Sequence, residues 1–199
     1  VSTLAKERFD MKHLLETNRL RLRRWTSNDL EPFAALNADP EVMRHFPATL
    51  SLDQTKSFIA AVEAHFERED FGLWATDLKE TGEMIGFVGL SIPRFAADFM
   101  PCVEIGWRLS KKHWGFGYAP EAAREVLRYG FEHVKLDDVV SFTATTNLKS
   151  IRVMEKIGMR RDPAEDFDHP NLEAGHRLRR HVLYRLSRED WQSRQGESV

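Results

Sequence analysis

Little sulfur chemistry is open to this chain. Cys102 is its one cysteine, so an internal disulfide is excluded and a cysteine-rich zinc cluster cannot assemble. The eight histidines show neither the HExxH pattern nor another metal-ligand spacing, and no metal is expected. No apolar run approaches the roughly 20 residues that span a bilayer. The opening VSTLAKERFDMKHLLE lacks the continuous apolar core of a secretory signal. A soluble, cytoplasmic protein without a membrane partner is the expectation. Neither sign of charge dominates: 29 basic and 31 acidic side chains give a net charge of -2. That balance offers no broad cationic face and points away from direct nucleic-acid binding.

What is present suits one globular domain. The 199 residues are 42% hydrophobic and 30% charged, enough to bury a core without disulfides. No repeat or low-complexity linker divides them. The expected organisation is an N-terminal extension over 1–13, a single domain over 14–191 and a tail over 192–199.

Residues 20–25, LRLRRW, alternate as a first strand, and Ser27-Asn28-Asp29 marks a helix start. Leu30, Phe33, Ala34 and Leu36 give that helix an apolar face, which Asp39-Pro40 interrupts. A second helix begins near Ser51, with Phe58, Ile59, Val62 and Phe66 at helical spacing. Residues 71–77 and 84–90 read as a hairpin around Lys79-Glu80-Thr81-Gly82, and 91–102 as a loop beside a site. In the strand 103–109, Val103, Ile105, Trp107 and Leu109 share one face and Glu104, Gly106 and Arg108 the other. A helix near Pro120, a strand over 139–145, a helix over 148–157 ended by Gly158 and a last strand over 181–186 complete the series. A charged, turn-rich stretch fills 162–179. Two early helices, a meander, two strand–helix crossovers and a final strand imply an α/β (α+β) fold, a mixed sheet flanked by helices.

The stretch VEIGWRLSKKHWGFGYAPEA (103–122) is the most informative. A strand enters a turn, two glycines let the backbone approach a ligand, and a helix leaves at once. Free N–H groups at such a helix start suit a pyrophosphate, with Lys111 or Lys112 adding charge. The segment lacks the lysine and hydroxyl of a P-loop and the third glycine of a dinucleotide fingerprint. On chemistry alone, a phosphate site and a purely structural turn remain equal alternatives.

Lys112-His113-Trp114-Gly115-Phe116-Gly117 resembles the Q/R-x-x-G-x-G/A signature of GNAT acyltransferases, with lysine at its first position. Thr146-Asn147-Leu148-Lys149-Ser150, running on to Met154 and Gly158, resembles that family's strand-end asparagine, short helix and glycine turn. Residues 15–23 and 181–186 resemble the subgroup that acetylates ribosomal-protein N-termini. The resemblance covers about residues 14–190. It implies a strongly twisted sheet with a splayed central strand pair, 103–109 and 139–145, and acetyl-coenzyme A as cosubstrate. It also implies an amine acceptor, with a protein or peptide N-terminus leading and an amino acid, polyamine or aminoglycoside as the alternative. A non-catalytic acyl-coenzyme A-binding module is the competing class. A homodimer is allowed, though no interface is legible.

By the same resemblance, Trp107, Arg108 and Leu109 offer backbone groups to the pantetheine arm, and an N–H near Leu109 stabilises the oxyanion. Lys112, His113, Gly115, Phe116, Gly117, Tyr118 and Ala119 receive the pyrophosphate. Asn147 contacts the cofactor, with a helix cap as the alternative. Ser150 also lies at the cofactor and is the nearest hydroxyl for the departing sulfur. Many members carry a tyrosine proton donor where this chain has Met154, which cannot donate and packs on the cofactor or the core. Glu104, on the strand leading to the turn, is the candidate base or amine-positioning group, with a structural ion pair as the alternative. Cys102 is not expected to act as nucleophile. Phe46, Trp74 and Phe95 are expected to wall the acceptor entrance, with ordinary core packing as the alternative.

Overall fold

The computed structural model of the chain describes residues 13–196; the extension expected over 1–13 lies, but for His13, outside the described residues. Leu20 and Leu22 point to one face of β2 (Leu20–Arg23) and are fully buried, as strand alternation requires. The two-residue β1 (Leu15–Glu16) pairs with it antiparallel. β2 stops short of Trp25, whose indole N–H donates to the Leu73 carbonyl at 2.7 Å. α1 (Leu30–Ala38) ends before Asp39-Pro40, where the residue preceding proline disfavours helix. α2 (Leu52–Glu69) begins at Ser51, whose side chain accepts from the Gln54 N–H while Gln54 accepts from the Ser51 N–H. Such a cap is worth about 1 kcal/mol.

β3 (Leu73–Leu78), β4 (Met84–Ser91) and β5 (Glu104–Leu109) form the expected meander. α3 (Tyr118–Tyr129) then crosses to β6 (Asp138–Ala144), which runs parallel to β5. α4 (Leu148–Lys156) is followed by two short strands, β7 (Arg160–Arg161) and β8 (Phe167–Asp168), inside and beside the turn-rich stretch. β9 (Arg180–Ser187) returns antiparallel to β6, so only the first of the two expected crossovers is parallel. The strand order is β1-β2-β3-β4-β5-β6-β9-β7, with β8 also on β9. α5 (Arg188–Gly196) runs past position 191, where the domain was expected to end.

Helices cover both faces. Phe33 of α1 and Phe58 of α2 lie on Phe87 of β4, with ring centroids 5.9 and 5.7 Å away. α3 packs on β4 and β5, and Trp191 of α5 meets Phe131 at 5.3 Å. No helix among the described residues is long and apolar enough to cross a membrane.

Candidate active site

The sheet opens between β5 and β6. Glu104 opposite Val140 is their one pair in register, and the Val140 N–H donates to the Val103 carbonyl at 2.9 Å. Backbone groups of alternate residues point to the same side of a strand. Ile105, Trp107 and Leu109 therefore turn their N–H groups the way Val103 turns its carbonyl, toward the opening. Arg108 has the other parity and faces Phe87 across the β4 ladder. The backbone contact expected at 107–109 is thus geometrically open to Trp107 and Leu109, and Arg108 is withdrawn from it. The Leu109 carbonyl already accepts from the Trp114 indole at 2.8 Å, which leaves its N–H as the group of interest.

Past β5 the chain turns through Gly115 and Gly117, with φ of 86° and 82°, values that glycine adopts without a Cβ penalty. Gly117 is the residue before α3, whose start has no side-chain cap, so its first N–H groups are presented outward. Phe116 stands 61% exposed on the turn; Tyr118 and Ala119 are half-buried. Two expected partners are engaged elsewhere. Lys112 is ion-paired with Glu83, and His113 is buried, its Nε2 3.7 Å from the same carboxylate. The nearby cation that sequence reasoning missed is Arg19. It donates to the Phe116 carbonyl at 3.0 Å and to Glu121 at 2.7 Å and lies 4.5 Å from the Tyr118 ring centre. Contacts across 97 and 102 residues bring it there, and nothing local in the sequence announces that.

On the facing helix, Asn147 is committed. Its amide donates to Thr143 Oγ1 at 2.9 Å and to Ser150 Oγ at 3.0 Å, while its oxygen accepts the Ser150 N–H at 3.4 Å. Asn147 therefore caps α4 and positions Ser150. Ser150 Oγ accepts a second hydrogen bond from the Trp107 indole at 3.3 Å, so its own proton is the part left to donate. Met154 is 1% exposed in the main core. It offers no surface to a cofactor, and its expected contact is corrected to core packing.

The opposite face of β5 carries Glu104, Gly106 and Arg108. Glu104 is half-buried, and burial pushes its carboxyl up to about 8. It leans along the strand: a Cβ built on Gly106 would meet Glu104 Oε1 at 3.9 Å and nothing else within 4 Å. Phe46 is half-buried with its ring centre 4.1 Å from the Arg108 guanidinium. Phe95 belongs to a separate aromatic group with Phe99, Phe142, Phe167 and His169. Trp74 is a correction. It is fully buried, donates to the His13 carbonyl at 2.7 Å and packs on Phe66 and Tyr129, so no part of it reaches an acceptor. Burial and the nearby Glu104 charge push the Cys102 thiol up to about 11, which leaves it a poor nucleophile at neutral pH. No group of three or more potential metal ligands occurs among the described residues. A hollow lined by Glu69, Asp70, Tyr129, His133 and Val134 lies at the far end of α3 and includes none of these residues.

Residues 19–160 match the family described as acetyltransferase (GNAT) domain. The chain is 35% identical over 149 residues to the uncharacterized protein YkkB of Bacillus subtilis (strain 168), covering 74% of this chain and 86% of that one. It is 38% identical over 100 residues to the FsC-acetyl coenzyme A-N(2)-transacetylase of Aspergillus fumigatus, covering 48% and 40%. Among solved structures, a GNAT-family acetyltransferase from Bacillus anthracis superposes with a TM-score of 0.72 at 25% identity, over 88% of this chain and 99% of that one. An acetyltransferase from Agrobacterium tumefaciens gives 0.70 at 29% identity, over 87% and 93%. With the family match running from β2 through α4, both walls of the cleft included, this chain belongs to the GNAT acetyltransferases.

Proposed function

We propose that the protein moves an acetyl group from acetyl-coenzyme A to a terminal α-amine, by direct attack within a ternary complex. The observation that carries this reading is the Glu104 carboxyl, without an ion-pair partner among the described residues, leaning over Gly106 one strand face away from the free β5 backbone. The donor fits its surroundings: the uncapped start of α3 suits a pyrophosphate, and Arg19, ion-paired with Glu121, stands beside it. The name of the Aspergillus relative specifies acetyl-coenzyme A and a nitrogen acceptor. The sequence likeness over 15–23 and 181–186 favours a protein or peptide N-terminus as the acceptor, with the α-amine of a free amino acid as the alternative.

Bound acetyl-coenzyme A supplies an activated acyl carbon on a thiol leaving group. The Trp107 and Leu109 N–H groups align with the arm, and the Leu109 N–H stabilises the charge that builds on the carbonyl oxygen. The amine lone pair forms the C–N bond as the C–S bond breaks. The Glu104 carboxylate takes the proton the nitrogen sheds. Ser150 donates a hydrogen bond to the sulfur, which leaves as thiolate; a thiol with a pKa near about 8.5 needs little more assistance. No tyrosine is required where Met154 stands.

The test is mass-resolved product formation from acetyl-coenzyme A and pooled peptides, amino acids, polyamines and aminoglycosides. A product one acetyl group heavier, with the modification on an α-amine, supports the reading. Cofactor binding without any product replaces it with a non-catalytic acyl-coenzyme A-binding module.

A further inference from the structure

Half-buried arginines elsewhere in the chain hold carboxylates. Arg23 binds Asp29 and Asp77 at 2.7 to 2.9 Å. Arg24 binds Glu63 and Glu67, and Arg185 binds Glu165 and Asp138. Arg108 is only 8% exposed, yet no carboxylate pairs with it among the described residues. Among the described residues its single hydrogen bond runs from Nη1 to Asn37 Oδ1 at 2.6 Å, and its buried Nε has no partner there.

The side chain is nevertheless held firmly. Asn37 is fully buried and donates in turn to Thr55 Oγ1 at 3.2 Å, so a polar relay from α2 through α1 fixes the guanidinium. The rings of Phe46, Phe87 and Phe58 surround it at 4.1, 5.4 and 5.6 Å. Aromatic faces attract a cation but compensate its desolvation incompletely. Burial draws Arg108 down to about 10, which still leaves it charged at neutral pH. A fixed, charged, uncompensated fork of N–H donors is suited to a planar carboxylate.

Arg108 shares its strand face with Glu104, and Gly106 stands between them with open space above it. The two Cα atoms are about 13 Å apart at strand rise. An acceptor lying along this face meets a carboxyl at one end and a guanidinium at the other. We infer that Arg108 binds a carboxylate of the acceptor, making the substrate a small amino acid whose amine lies at Glu104. This rests on the proposed transfer to an amine and names the substrate class within it.

The test uses the full chain, acetyl-coenzyme A and matched pairs of acceptors: α-amino acids and ω-amino acids of increasing length, each beside its primary amide, with short peptides included. For the preferred acid, kcat/KM is expected to exceed that of its amide by about 10- to 100-fold, the range for a hydrogen bond to a charged group. Arg108→Gln is expected to bring that ratio near one, and Arg108→Lys to restore part of it. Equal rates on acids, amides and peptide N-termini in the unaltered protein overturn the inference while leaving amine transfer intact. A ratio that survives Arg108→Gln overturns it as well. If Arg108→Gln does not fold, the acid–amide comparison in the unaltered protein and the partial ratio in Arg108→Lys decide the matter. Absence of transfer to any amine removes the proposed activity itself, a different result from transfer without preference.

Discussion

The Trp107 indole on β5 donates to the Ser150 hydroxyl on α4 at 3.3 Å, joining the two walls of the cleft through one oxygen. Asn147 donates to the same oxygen at 3.0 Å. With both acceptor positions taken, the hydroxyl proton has a defined direction, away from these two donors. Ser150→Ala is therefore expected to lower kcat by about tenfold, the value of one charge-assisted hydrogen bond to the departing sulfur. KM for acetyl-coenzyme A should move much less. Steady-state kinetics separate the two, and an unchanged kcat would remove Ser150 from the chemistry.

Glu104 gives a pH dependence with a definite sign. Its carboxyl, pushed by burial up to about 8, is mostly protonated at pH 7 and ionises as pH rises. kcat/KM should climb through pH 8 toward a plateau, since only the carboxylate accepts a proton. Glu104→Gln should lower the plateau by about 100-fold or more and remove the limb that belongs to this group. A pH–rate profile of the variant that overlays the original would assign the base elsewhere.

The same shift makes Glu104 a stability term. A carboxyl that titrates near 4.5 unfolded and near 8 folded favours the folded state while it is protonated. That contribution is complete below the unfolded value and is lost as pH rises to the folded one. Glu104→Gln, neutral at every pH, should therefore melt higher than the original protein at pH 8.5 by about 2–6 °C, on the scale of 1–2 kcal/mol for a chain of this size. The gap should close at pH 5. Thermal melts at the two pH values check this, and a gap that does not depend on pH would rule out the linkage.

Local signals carried the scaffold. The alternation of LRLR, the helix start near Ser51 and the Asp39-Pro40 stop each act through neighbouring residues, and each appears where expected. The face-sharing of Glu104, Gly106 and Arg108 follows from strand periodicity alone. Other features depend on distant partners. Arg19 reaches the turn across 97 residues, and Asn37 reaches Arg108 across 71. Lys112 is diverted by Glu83, which stands 29 positions earlier on the neighbouring hairpin. Trp74 was ambiguous because an aromatic side chain suits a pocket wall and a core equally well; its fully buried position decides for the core. The turn of α5 after β9 has a polar sequence with little apolar periodicity, so the helix forms largely through contacts such as Trp191 on Phe131.

Gly106 offers a way to separate folding from acceptor binding. A Cβ there meets only Glu104 Oε1, at 3.9 Å, an ordinary contact. Replacing glycine in a strand by a β-branched residue also reduces the freedom of the unfolded chain. Gly106→Val should thus be as stable as the original or more stable by about 0.5 kcal/mol, with acetyl-coenzyme A affinity retained, because position 106 turns its side chain away from the face of Trp107 and Leu109. The added methyl groups would nevertheless occupy the space between Glu104 and Arg108 in which the amine must lie. Transfer should fall by at least about tenfold, the effect of displacing a reacting group from its productive position. Melting temperature, cofactor binding and transfer rate measured on one preparation distinguish the cases. A stable, cofactor-binding Gly106→Val that transfers at the original rate would place the acceptor off this strand face and detach both Glu104 and Arg108 from it.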